Sequence, residues 1–113
     1  MSLTFKKLNE INTNRCETSF HRIDEWSLTD WGCSAAGEMG EVCNKIKKLR
    51  KQNMPNYPLV DEQVDIKIDI GYEIADVVIY LDLLCSRLGL KLEDVIREKF
   101  NITSNYIGSN LRL

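Results

Sequence analysis

Apolar positions recur at helical spacing along several segments of the chain, and no segment shows the sustained period of two that marks a half-buried strand. Phe5, Leu8 and Ile11 define a short amphipathic first helix from Thr4 to about Arg15. The periodicity lapses from Cys16 to Glu25, which reads as a connection delivering Trp26 to the next helix. Ser27-Leu28-Thr29-Asp30 then carries a capping pattern, a hydroxyl at the cap and an acid three positions later. The second helix runs from about Leu28 to Gln52, with Trp31, Ala35, Glu38, Val42, Ile46 and Leu49 forming one stripe. Gly37 and Gly40 interrupt it. Glycine inside a helix costs about 0.5–1 kcal/mol relative to alanine, so this pair flanking Glu38 points to close approach by another backbone or by a ligand.

Pro55, Asn56 and Pro58 break helix and place the one substantial loop between Asn53 and about Gln63. Asp61, Glu62, Asp65 and Asp69 follow as a solvated lead-in whose charge favours the N-terminus of the third helix, with a lid as the alternative. That helix, about Ile66 to Leu88, has the strongest pattern. Ile70, Ile74, Val77, Leu81, Cys85 and Leu88 fall on a core face, and Asp69, Glu73, Asp76 and Tyr80 on the adjacent one. Gly89 stops it, and Leu92 opens a fourth helix reaching about Asn105. The expectation is an all-α fold, an antiparallel bundle of four to five helices. One domain spans residues 1–113, small enough that oligomerisation would help to bury its apolar faces.

Charge narrows the partners. A formal net charge of −2 gives no basic field, so neither a nucleic acid nor an anionic membrane is expected as a partner. The first residues lack an apolar signal segment and no apolar run approaches the length of a membrane span, so a cytoplasmic protein is expected. Cys16, Cys33, Cys43 and Cys85 form no Cys-x-x-Cys and read as reduced thiols in or near a helical core. His21 sits in the connection with no triad partner and reads as a surface or structural residue.

The chemistry lies in two acidic pairs, Glu38-x-x-Glu41 and Glu73-x-x-Asp76. Residues three apart on a helix stand roughly 5–6 Å apart at Cβ, so each pair projects from one face. Two facing pairs make a cage of four carboxylates, which stays together only if some protonate or a cation sits between them. An all-oxygen, all-anionic set suits Mg²⁺, with Mn²⁺ able to substitute, better than Zn²⁺. The Glu38 and Glu41 face continues to Lys45 and Lys48, and ammonium groups beside a metal cage suit a polyphosphate. The plainer reading is that the run from Lys45 to Lys51 offsets the helix dipole and stays in water.

Taken together, Trp26-Ser27-Leu28-Thr29-Asp30-Trp31-Gly32, Ala36-Gly37-Glu38-Met39-Gly40-Glu41, Glu73-Ile74-Ala75-Asp76-Val77-Val78-Ile79-Tyr80-Leu81 and Arg97-Glu98-Lys99-Phe100-Asn101 resemble the MazG-like all-α nucleotide pyrophosphohydrolases. The likeness covers nearly the whole chain, roughly Phe5 to Leu113. It implies hydrolysis of a (deoxy)nucleoside triphosphate to the monophosphate and pyrophosphate with Mg²⁺, in a homodimer or homotetramer whose helices complete a bundle across the interface. Glu38, Glu41, Glu73 and Asp76 take the family's metal positions. Lys99 and Asn101 match a segment near its nucleotide site, and Trp26 and Trp31 match aromatics near its substrate pocket. Many relatives carry Ser, an acid and then Arg further along the last helix, where this chain has Ser104-Asn105-Tyr106. The mechanism expected is in-line attack of water on the α-phosphorus, with Glu38 in the catalytic set and Glu41 as the base. A non-catalytic helical module binding a nucleotide or a partner is the alternative. A di-iron bundle is disfavoured, since His21 lies on neither acidic helix.

Overall fold

The computed structural model describes residues 2–52, 54–55 and 65–113, with residue 52 described in its backbone alone. Among them are α1 (Phe5–Ser19), α2 (Leu28–Gln52), α3 (Ile66–Arg87) and α4 (Leu92–Ile107), a 3-10 turn at Ile23–Glu25, and no strand. The fold is all-α. The expected loop lies almost wholly outside the described residues, as do Asp61 and Glu62 of the acidic lead-in.

Local chemistry fixes most boundaries. Thr4 Oγ1 accepts from the Lys7 amide at 3.1 Å and starts α1. That helix runs a turn beyond the expected Arg15 because Cys16 turns inward and the amides of Phe20 and His21 close on the Cys16 carbonyl. Its inner face is also not the expected one. Phe5 and Ile11 are exposed, while Asn12 and Cys16 are buried, because α1 docks through amide hydrogen bonds to α3 rather than through its aliphatic stripe.

The capping box on α2 forms as read from the sequence: Ser27 Oγ accepts from the Asp30 amide at 3.1 Å, and Asp30 Oδ2 accepts from the Ser27 amide at 2.9 Å. The backbone hydrogen bond from Ser27, then its side-chain one, hold the Asp30 carboxyl below its ordinary pKa. Ser27→Ala should cost about 0.5–2 kcal/mol in urea unfolding. Because the folded pKa of Asp30 is depressed, its contribution is present above about pH 4, the unfolded value, and is lost as pH falls through the folded one. Asp30→Ala should therefore flatten the acid limb of the stability profile; an unchanged limb would remove Asp30 from the cap.

Asp65 Oδ1 accepts from the Lys67 and Ile68 amides and caps α3, and Gly89 ends that helix at φ 74°, in the left-handed region that favours glycine. α2 and α3 form the main helix pair. Lys45, late on α2, meets Asp69 and Glu73, early on α3; Trp31, early on α2, meets Tyr80 and clusters with Leu83, late on α3. The two helices are thus antiparallel. Arg87 Nε closes the far end by donating to the Trp26 carbonyl at 2.9 Å.

α1 is tied to α3 around Asp82, which is fully buried. Asp82 Oδ1 accepts from Asn9 Nδ2 at 3.2 Å, and Asp82 Oδ2 accepts from Asn12 Nδ2 at 3.0 Å, so neutral amide dipoles carry the buried carboxylate. Cys16, Ile23, Trp31 and Leu83 form the core, with Trp26, Tyr80 and Leu84 against them. Half of the expected core stripe of α3 faces outward: Ile74, Leu81 and Leu88 are exposed, whereas Ile70 and Leu83 are buried. α3 carries apolar residues on more than the one stripe, and α2 and α1 cover only part of them. Ile46 of the α2 stripe is exposed likewise, and on α4 so are Phe100, Ile102, Tyr106 and Ile107. The radius of gyration is 17.7 Å, against about 13 Å for a compact chain of similar length.

Other expectations change with this packing. Gly37 and Gly40 have no atom of the chain within 4 Å of where a Cβ would stand, so neither marks a close approach inside the chain. Cys16 is buried, with its thiol pKa pushed up by that burial, but Cys33 and Cys43 are exposed rather than in the core; all four thiols are free. No helix among the described residues is long and apolar enough to cross a membrane.

Candidate metal and substrate site

The antiparallel register sets the middle of α2 against the middle of α3. It brings together Glu38, Glu73 and Asp76, each offering a carboxylate oxygen, with these atoms within 4.8 Å of one another and each residue half-buried. Burial first, then the charges of Asp76, Glu73 and Glu41, push the Glu38 carboxyl above its ordinary pKa. The group thus behaves as a cluster short of positive charge. Glu41 is exposed and stands outside this group of three.

Lys45 supplies part of that charge. Its ammonium donates to Glu73 Oε1 at 2.7 Å and to Asp69 Oδ2 at 3.0 Å, and these hydrogen bonds raise its pKa. Lys45 therefore belongs to the carboxylate cluster and not to the solvated basic run. Lys48 is exposed on the following turn.

Next to the carboxylates lies a cavity of about 350 Å³. Its walls are largely aromatic: Phe20, His21, Trp26, Trp31 and Tyr80. His21 stacks on Trp26 with ring centroids 4.3 Å apart, and Trp31 sits 4.6 Å from Trp26 and 6.3 Å from Tyr80. Trp31 is held by its indole N–H, which donates to the Ile23 carbonyl at 3.0 Å. The polar lining comes from Asn12, Arg15 and Asp76, so the cavity and the carboxylate group share Asp76.

Trp26 and Trp31 stand together in one wall of this cavity. Asn12, Arg15, Phe20 and Tyr80 were not read as site residues, and His21 was read only as a surface or structural group. The connection after α1 gives no periodic signal; what unites these residues is the docking of α1 and of that connection on α3.

Lys99 and Asn101 are not brought to the carboxylates of the same chain. They lie on α4, which makes no contact with α2 among the described residues. Lys99 is exposed beside a shallow groove along α4. The Asn101 amide is engaged by the end of the chain: Oδ1 accepts from the Leu113 amide at 3.0 Å and Nδ2 donates to the Leu113 carbonyl at 3.3 Å. Tyr106 is 90% exposed. Arg112 folds back on α4, donating to the Asn101 carbonyl and to Asn105 Oδ1.

Comparison of the chain with known protein families, with curated proteins and with solved structures finds no match to any of them.

Proposed function

We propose that this chain is a MazG-like nucleoside triphosphate pyrophosphohydrolase, converting a (deoxy)nucleoside triphosphate to the monophosphate and pyrophosphate. The observation that carries this reading is the junction at Asp76. An oxygen-only carboxylate group and an aromatic-walled cavity of base size meet at one residue, as a substrate with a polyanionic end and a flat heteroaromatic end requires.

Glu38, Glu73 and Asp76 fit a hard divalent cation, because their donors are all carboxylate oxygens and Glu38 is destabilised as an anion without added positive charge. When bound there, Mg²⁺ or Mn²⁺ neutralises triphosphate oxygens and favours departure of pyrophosphate. Trp26 and His21, half-buried at the cavity, pack against the base, and the buried Trp31 backs them. Glu41, outside the group of three, takes the proton from the attacking water. Lys45 holds Glu73 in place and, with Lys48, offsets phosphate charge along the groove.

The uncovered apolar faces of α3 and α4 support assembly into a homodimer or homotetramer, which would also give Lys99 and Asn101 a site to serve. The expectation of a cytoplasmic protein fits a nucleotide-pool role.

One observation favours a second reading. The ion pairs of Lys45 with Glu73 and Asp69 already neutralise part of the cluster, as a non-catalytic nucleotide-binding module would need. A panel of ribo- and deoxynucleoside triphosphates with Mg²⁺, scored for pyrophosphate against orthophosphate, separates the two. The enzyme releases pyrophosphate from one or a few members; binding without release across the panel supports the module.

A further inference from the structure

The aromatic cavity holds one polar group that is almost completely buried. Asn12 is 3% exposed, and its amide nitrogen donates to two groups that can only accept, the Ile79 carbonyl at 3.0 Å and Asp82 Oδ2 at 3.0 Å. These partners fix the orientation of the amide: turning it over would set oxygen against oxygen twice. Asp82 is itself fixed, because Asn9 Nδ2 donates to both of its oxygens and to Ser86 Oγ. Among the described residues Asn12 Oδ1 has no hydrogen-bond partner, it is not fully occluded, and Asn12 lines the cavity. An asparagine free to turn can face either a donor or an acceptor. This one offers an acceptor only.

We propose that Asn12 is a specificity-determining residue that selects a heteroaromatic base presenting an exocyclic amine, of the cytosine or adenine kind, over the counterpart carrying a carbonyl at the same position. The proposal rests on the nucleotide reading above and names the substrate class of that site. The base packs against the half-buried Trp26 and His21, backed by the buried Trp31; aromatic rings accept any base, so this contact supplies affinity without choice. The choice falls to the polar wall. An amine donates to Asn12 Oδ1. A carbonyl at that point sets two acceptors together and leaves both without the water they had, a loss of about ten- to a hundredfold in affinity. Asn9, Asp82 and Ser86 are positioning residues, acting only through the Asn12 amide.

The test uses matched triphosphates that differ in this one group: deoxycytidine against deoxyuridine, and deoxyadenosine against deoxyinosine. Dissociation constants are measured on the wild-type protein with Mg²⁺. In whichever pair binds, the amine-bearing member should bind at least about tenfold tighter. Asn12→Leu should bring that ratio close to one, and Trp26→Ala should weaken both members together while keeping the ratio. If Asn12→Leu does not fold, the wild-type ratios decide. Equal or tighter binding of the carbonyl member overturns the proposal and leaves the nucleotide reading standing, as does a folded Asn12→Leu that keeps the full preference. Binding of neither pair overturns the proposal, and binding of no member of the full nucleotide panel overturns the nucleotide reading as well.

Discussion

Glu38→Gln and Asp76→Asn should each lower metal-dependent pyrophosphate release by on the order of 10²–10⁴-fold, since charge stabilisation by a bound cation contributes several kcal/mol in the transition state. Both changes keep the side-chain shape and remove a ligand charge. Their effect on folding should run the other way. Burial and the neighbouring acids disfavour the Glu38 carboxylate in the folded chain. Replacing it with an amide relieves repulsion inside the group, so the metal-free Glu38→Gln protein should melt at or above the wild-type temperature. A loss of activity with no loss of stability is the expected signature of a ligand group. Circular dichroism melts beside the activity assay check it; near-full turnover in either variant would remove that residue from the site.

Trp31→Ala should cost about 3–5 kcal/mol, the range for deleting a large buried aromatic side chain. Trp31 is 1% exposed, fills the core between α2 and α3, and loses with its indole the hydrogen bond that satisfies the Ile23 carbonyl. Against a total stability of about 5–15 kcal/mol, this lowers the melting temperature by roughly 15–30 °C. Trp26, half-buried at the cavity, should show the reverse balance, with a smaller shift in melting and a larger loss of ligand affinity. A Trp31→Ala protein melting within a few degrees of wild type would mean that the core is centred elsewhere.

The sequence was most legible where a rule is local. The Ser27 and Asp30 cap, the span of α2 and the stop at Gly89 depend on residues within a turn or two, and all stand in the structure as read. The carboxylates of Glu38, Glu73 and Asp76 were legible in part. Their spacing puts each pair on one helix face, and the antiparallel register brings three of the four residues together.

What failed depends on which faces meet. The aliphatic stripe of α3 looked like the core face, yet Ile74, Leu81 and Leu88 point outward, because a helix with apolar residues on more than one face does not declare which side its neighbours take. On α1 the decisive contacts are polar. Asn9 and Asn12 are drawn to Asp82, some seventy residues away in sequence, and this turns Phe5 and Ile11 out. Most of the cavity was invisible for the same reason: Asn12 on α1 and Phe20 and His21 after it carry no motif, and the docking of α1 and of the non-periodic connection brings them beside Trp26, Trp31 and Tyr80.

The most direct test of the central claim is hydrolysis of a triphosphate substrate in ¹⁸O-water with Mg²⁺, with the label located by mass spectrometry. The proposed α-phosphorus attack places one ¹⁸O in the nucleoside monophosphate and none in the pyrophosphate that leaves. Label in pyrophosphate or orthophosphate, or no turnover of any member of the nucleotide panel, would contradict it.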